Sequence, residues 1–135
     1  MKWYQILREL PQIILGWIIF CFLSVKDYSH YVDRIVITFY RDNWFSKIFS
    51  GTSLGRYILL PENNNHDIVV RHEYGHCLQS KKLGWLYLLV IGIPSIINNL
   101  WDRTMHKQWD YAKRIKWYYG RYPEKQADIL GGVAR

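Results

Sequence analysis

Residues 66–82 read HDIVVRHEYGHCLQSKK, a stretch that carries the marks of a helix. An Asn or Asp among Asn65 to Asp67 is placed to cap its start. Lys81 and Lys82 sit at the end that suits positive charge, and Gly84 follows as a stop. Inside the stretch, His72-Glu73-Tyr74-Gly75-His76 spells HExxH. A spacing of four places both imidazoles on one helix face, roughly 40° apart about the axis, so both reach one ion. Glu73 projects beside them, within reach of a water on that ion.

A catalytic zinc takes three protein ligands and keeps one position for water. The tail Pro123-Glu124-Lys125-Gln126-Ala127-Asp128 supplies a candidate for the third. With Glu124 as a ligand, Asp128 lies one helical turn later on the same face. From there it accepts the outer N–H of a ligating His and fixes its tautomer. The alternative for Glu124 is a solvated carboxylate favoured at a helix start by the dipole. Gln79, three residues after His76, is either a partner of a ligand or a solvated, capping side chain. His30 and His66 are isolated and take no role.

The chain has 135 residues, and one domain spanning 1–135 is expected. Hydrophobic residues at 50% and charged residues at 21% exclude a disordered chain. Two cysteines exclude a disulfide-stapled miniprotein and a four-cysteine zinc ribbon, and Cys21 and Cys77 read as small buried thiols. Aromatics reach 17%, with seven Trp and eleven Tyr, and the net charge is +7. Amphipathic rings and basic charge suit a membrane interface. Residues 10–25, LPQIILGWIIFCFLSV, carry no charge and are flanked by Arg8 and Lys26 and by Trp3, Tyr4, Tyr28 and Tyr31. They read as an N-terminal hydrophobic membrane helix, a short anchor. A buried core helix and a cleaved signal peptide are the alternatives. Glu9, Pro11 and the lack of an A-x-A-like site speak against the signal peptide.

Further along, Arg34–Tyr40 reads as a strand, Ser50 to Gly55 as a loop, Arg56–Leu60 as a second strand and Glu62 to Asn65 as a turn. Residues 83–101 carry no charge but are broken by Gly92 and Pro94 and weakened by Asn98 and Asn99. Asp102 is placed to cap a basic helix running to Tyr119 and stopped by Gly120. Pro123 suits the first position of a short last helix ending at Gly131 and Gly132. The two histidines precede residues 83–101 and Glu124 follows them. One full membrane crossing by that stretch would separate the ligands, so it is expected to fold back over the active-site helix or dip into the interface. The helix 102–119, with its Lys, Arg and Trp residues, suits anionic headgroups or is a solvated face. The expected class is α+β, predominantly helical, with a small antiparallel sheet or hairpin. Residues 34–135 would form the catalytic region.

HExxH at His72–His76 followed by Glu124-x-x-x-Asp128 resembles the gluzincin clan of zinc metallopeptidases. The short chain is similar to its minimal members, the minigluzincins, and the additional helices of larger members are missing. The oily segments are similar to those of membrane-embedded relatives that process prenylated or misfolded membrane proteins. The resemblance implies a minimal zincin-like domain holding Zn2+ through His72, His76 and Glu124. It implies a membrane-associated zinc metalloendopeptidase acting on peptide or protein substrates at a lipid membrane, with no nucleic acid. Zinc lowers the pKa of its water towards ~7. Glu73 takes the proton as the water attacks a peptide carbonyl, then delivers it to the leaving amine. The clan places a substrate-pairing edge strand over Gly55 to Pro61, so an extended peptide would add to Arg56–Leu60. Tyr119, Tyr122 and His106 are the candidates for the oxyanion donor. Two other readings stand beside this one. A non-catalytic membrane protein would use the zinc structurally. A basic nucleic-acid binder rests on charge and aromatics alone, without a recognisable motif.

Overall fold

The computed structural model describes residues 2–48 and 51–135; Ser50, in the expected loop, lies outside them. The β-branched and aromatic run Arg34–Tyr40 forms a strand, β2, preceded by β1 (Ser24–Tyr31) and followed by β3 (Thr52–Leu54) and β4 (Tyr57–Pro61). Their order in the sheet is β1-β2-β4-β3. β1 pairs antiparallel with β2, and β3 antiparallel with β4 around a turn holding Gly55 at φ +57°. β2 and β4 run parallel, with Ile35 opposite Tyr57 and Phe39 opposite Pro61. The sheet is therefore mixed, not antiparallel as the sequence suggests. A parallel pair needs a crossover between its strands, and here the crossover contains helix α3 (Trp44–Ile48) and β3 itself.

Side chains on successive strand residues point to opposite faces, and both faces of the central strands are covered. Ile37, Phe39 and Leu59 cluster with Leu23, Ile19 and Phe20 on one side. Val36, Ile58 and Leu60 cluster with Cys77, Val69 and Val70 on the other. That explains the uninterrupted apolar run in β4. Cys77 is buried as expected, whereas Cys21 is exposed; both thiols are free.

The N-terminal run departs from the expected anchor. A separate helix, α1 (Trp3–Arg8), precedes it; the run itself is helical only over α2 (Leu10–Phe20), and its last two residues, Ser24 and Val25, start β1. Eleven residues of α2 span roughly 16 Å at ~1.5 Å per residue, and no helix among the described residues is long and apolar enough to cross a membrane. The physical reason lies in two polar residues that hydropathy averages away. Glu9 and Gln12 are fully buried. Arg34 Nη2 meets Glu9 Oε2 at 3.2 Å, and the Ser80 hydroxyl donates to Glu9 Oε1. Gln12 Nε2 donates to the Gly84 carbonyl at 2.7 Å and to Ser80 Oγ at 3.1 Å. These contacts lay α2 along the domain and fasten it to the C-terminal end of helix α4 (Asp67–Leu83), which carries HExxH and ends at Gly84, φ +59°.

Residues 83–105 continue as a 3-10 turn (Gly84–Leu86), a π-helical turn (Leu88–Gly92) and helix α5 (Ile93–Met105). Asp102 lies inside α5, not at the start of the basic helix. It pairs with Arg114 at 2.8 Å and His106 at 3.0 Å. The basic helix is the shorter α6 (Tyr111–Tyr119), capped by Asp110, which accepts from the Lys113 backbone N–H at 2.7 Å. The last helix, α7 (Glu124–Gly131), has Pro123 as its N-cap, one residue ahead of the expected position.

α7 crosses α4 with the two backbones in contact. A Cβ on Gly75 would fall 1.9 Å from the Ala127 carbonyl oxygen, and one on Gly131 would fall 2.0 Å from the Arg71 carbonyl oxygen. Glycine at both positions lets the helices approach this closely. The crossing brings the motif of α4 to the carboxylates of α7.

Candidate metal centre

The helical spacing within α4 turns His72, Glu73 and His76 to its buried side, and the first turns of α7 bury Glu124 and Asp128 against them. His72 Nε2 and His76 Nε2 each lie 3.0 Å from the same atom, Glu124 Oε2. The three donor atoms all fall within 4.8 Å of one another, and this is the one such group of three metal-ligating side chains among the described residues. Ligand atoms of a tetrahedral zinc site sit roughly 3.3 Å apart at metal–ligand distances of about 2.0–2.2 Å. The observed spacing is close to this, so small adjustments of the three groups would admit an ion.

The outer nitrogens decide whether the inner ones carry lone pairs. His72 Nδ1 donates to Asp128 Oδ1 at 2.7 Å. His76 Nδ1 donates to Gln79 Oε1 at 2.7 Å. The Gln79 amide is fixed in that sense because its Nε2 donates to Gln126 Oε1 at 2.8 Å and to the Pro123 carbonyl at 3.2 Å. Both imidazoles thus hold their proton outward and present Nε2 to the ion. Glu124 is itself steadied by the Ser95 hydroxyl on Oε1, and Asp128 by Arg135 Nε at 2.8 Å.

Charge at the site follows from burial and from these partners. Burial works against a charged His72, but the hydrogen bonds to Asp128 and Glu124, with the charge of Glu73, outweigh it and push its pKa up to about 9. Burial would raise Glu124, yet the two imidazoles and Ser95 hold it well below the usual carboxylate range. Asp128 is also lowered: burial opposes this, and His72 and Arg135 prevail. Glu73 goes the other way. Burial raises its pKa, and the nearby imidazoles offset this only in part. Its Oε2 is buried with no hydrogen-bond partner among the described residues. An orphaned buried acceptor is costly, so this oxygen is aimed at something that enters the site.

That something has room. A cavity of about 560 Å³ adjoins the cluster, walled by α2, β3, α4, α5 and α6. The free edge of the sheet on this side is β3, Thr52–Leu54, which lines the cavity. Arg56–Leu60 is not an edge: β4 lies between β2 and β3 and uses its main chain on both sides. A Cβ on Gly51 would lie 3.6 Å from Glu73 Oε1, so the approach to β3 passes beside that carboxylate.

Of the three expected oxyanion donors, one is at the site. Tyr119 lines the cavity with its ring edge-on to His72, centroids 5.0 Å apart. Tyr122 is outside it, its hydroxyl donating to the Val90 carbonyl at 2.9 Å. His106 is also elsewhere, stacked on Trp109 at 3.6 Å and bonded to Asp102. The sequence reading missed Tyr118, Ser95 and Arg135. Tyr118 lines the cavity, and burial raises its phenol far above the ordinary value despite hydrogen bonds with Asn99 and Ser95. Nothing in the local pattern distinguishes these residues: Tyr118 and Ser95 reach the site through the packing of α5 and α6, and Arg135 from the tail that follows α7.

No protein-family model, curated protein or solved structure matches the chain. Chemically, the arrangement offers two imidazole Nε2 atoms and one carboxylate to a divalent ion, which must displace protons to bind them. Beside them stands the Glu73 carboxylate, whose Oε2 has no hydrogen-bond partner among the described residues, and the cavity has a strand edge on its wall.

Proposed function

We propose that the chain is a zinc-dependent metallopeptidase of the gluzincin type. One observation carries this reading. Two imidazole Nε2 atoms and one carboxylate oxygen converge, while the adjacent Glu73 Oε2 is buried with no hydrogen-bond partner among the described residues. Structural zinc sites close the ion with four protein ligands, whereas catalytic sites use three and leave one position open; the described residues provide three. A zinc ion held there supplies Lewis acidity, drawing the pKa of a water towards about 7 and polarising a carbonyl.

The remaining work falls to the chain. Glu73, with its pKa raised by burial, is suited to accept a proton from the attacking water and pass it to the leaving amine. The edge of β3 offers main-chain groups to an extended peptide. Tyr119, pushed up to about 12 chiefly by burial, stays protonated and able to donate to a developing oxyanion. Asp128 and Gln79 hold the imidazoles in register.

Metal analysis and a peptide-library cleavage assay on wild type, Glu73→Gln and Glu124→Ala test this. Wild type is expected to carry one zinc and cleave peptides. Glu73→Gln should keep the zinc and lose about 10²–10⁴-fold in rate, the usual contribution of a general base. Glu124→Ala should lose the zinc. Cleavage by Glu73→Gln at the wild-type rate would refute the proposal and leave a structural metal as the reading.

A further inference from the structure

Helix α5 is turned inside out. In α5 the polar residues face the protein: Ser95 bonds Glu124, Asn98 Nδ2 donates to the Tyr122 carbonyl at 2.8 Å, and Asp102 pairs with Arg114. Ile93, Ile96, Ile97, Leu100 and Trp101 recur at the spacing of one helix face, and that face is 48–61% exposed. In a water-soluble domain such a stripe turns to the core. α2 packs Ile19 and Phe20 on the sheet but leaves further apolar residues outside. Its buried residues are Gln12 and Gly16, while Ile14, Trp17 and Ile18 point outward. Trp85, Leu86 and Leu89, from the segment joining α4 to α5, are exposed as well. An apolar surface of this extent marks an interaction site.

Three observations say what covers it. First, exposed charge on these elements has one sign. The two carboxylates of residues 2–20 and 84–105 are consumed, Glu9 by Arg34 and Asp102 by Arg114, while Lys2 and Arg8, at the two ends of the adjoining α1, are exposed cations. Second, indoles are distributed over the face: Trp3, Trp17, Trp85 and Trp101 are all exposed. Cations with exposed indoles fit the headgroup region of an anionic bilayer. Third, Leu15, Ile93, Ile96 and Leu100 line the metal-site cavity and are also exposed, so they rim its mouth. A protein seated on this face would seal the mouth to substrate, whereas a fluid lipid surface closes it to solutes of the bulk water and leaves it open to segments lying in that surface.

We propose that α2, the segment 84–92 and α5 form a docking face for an anionic bilayer, and that the metal-site cavity opens through this face. The site would then take apolar peptide segments presented at the lipid surface, a substrate class that rests on the peptidase reading; the docking does not. The protein lies on the membrane by this face.

The test uses the intact zinc-loaded chain and vesicles of phosphatidylcholine and phosphatidylglycerol. The protein should float with these vesicles, bind at least about tenfold more weakly to phosphatidylcholine alone, and release at high salt. Its tryptophan emission should shift to the blue and be quenched by brominated acyl chains. The variant Ile18→Glu/Ile97→Glu, which leaves the cavity wall untouched, should lose at least about tenfold in partitioning with unchanged metal content and circular dichroism. Cobalt-loaded protein reports on the mouth: extraction of the ion by EDTA should slow at least about tenfold once vesicles are bound. Wild type that stays with the aqueous phase, a double variant that floats like wild type, or burial of the face in a dimer would overturn the docking. Unchanged EDTA extraction would overturn the placement of the mouth. Docking without peptide cleavage would sink only the peptidase reading.

Discussion

Replacing Gly75 by alanine tests the helix crossing on which the whole site depends. The added Cβ would stand 1.9 Å from the Ala127 carbonyl oxygen, where such atoms do not approach within 3.0 Å. The α4 and α7 backbones must therefore part by about 1.1 Å at this point, and backbone, unlike the end of a side chain, has nowhere to rotate. Glu124 lies one helical turn from Ala127 and moves with it. Metal sites accept ligand displacements of about 0.2 Å, so the shift exceeds tolerance roughly fivefold. Overpacking of this kind costs about 1–3 kcal/mol, less than the roughly 5–15 kcal/mol that holds a domain together. Gly75→Ala should therefore fold but bind zinc at least about 100-fold more weakly, more than the loss of one supporting partner alone brings. Competition with a chromophoric chelator measures the affinity, and far-ultraviolet circular dichroism monitors the fold. Gly92→Ala is the control, since its nearest contact would be an ordinary 3.7 Å from Leu88. A folded Gly75→Ala protein with wild-type zinc affinity would refute the reasoning.

Gln79→Leu removes the acceptor that fixes His76 and should weaken zinc binding by about 10–100-fold in the same competition assay, with the fold intact. The pH dependence follows from His72, whose pKa in the metal-free site is raised from its ordinary 6.5 to about 9. A raised value means stabilisation that is complete below pH 6.5 and lost as pH climbs through about 9, while protons compete with metal over the same range. Scanning calorimetry should therefore show the zinc-induced rise in Tm growing from pH 6.5 to 9; a rise that shrinks over that window contradicts the assignment. Arg34→Met leaves Glu9 buried without its cation and should cost about 3–5 kcal/mol in urea unfolding. Adding Glu9→Gln should restore much of that loss, and a double variant no more stable than the single one would argue against the pair.

What could be read in advance was local. His72, Glu73 and His76 follow from helical spacing, and Glu124 with Asp128 from the same spacing repeated near the end of the chain. The structure brings these residues together. The sheet was legible only where both faces are apolar. β1 (Ser24–Tyr31) is almost wholly exposed, so its polar composition hid it, and β3 is too short to show any period. The edge was consequently assigned to Arg56–Leu60, one strand too far in. The N-terminal run misled because mean hydropathy is blind to orientation: Glu9 and Gln12 decide where α2 lies. Asp102 has the composition of a cap but is claimed by Arg114, a residue twelve positions away. Gly75 fills one of the unspecified positions of HExxH, and only the neighbouring helix shows why it has no side chain.

The way α2 is fastened has a practical side. Proteins with an oily beginning are commonly shortened to obtain material that dissolves. Here such a cut would strip Arg34 of the carboxylate it is buried with and take Gln12 from Ser80, the residue beside Gln79. The trimmed product would lose a brace of the metal-bearing helix along with the grease. Solubility is better sought by recolouring the outer surface, at positions such as Ile18 and Ile97, with every residue of the chain kept.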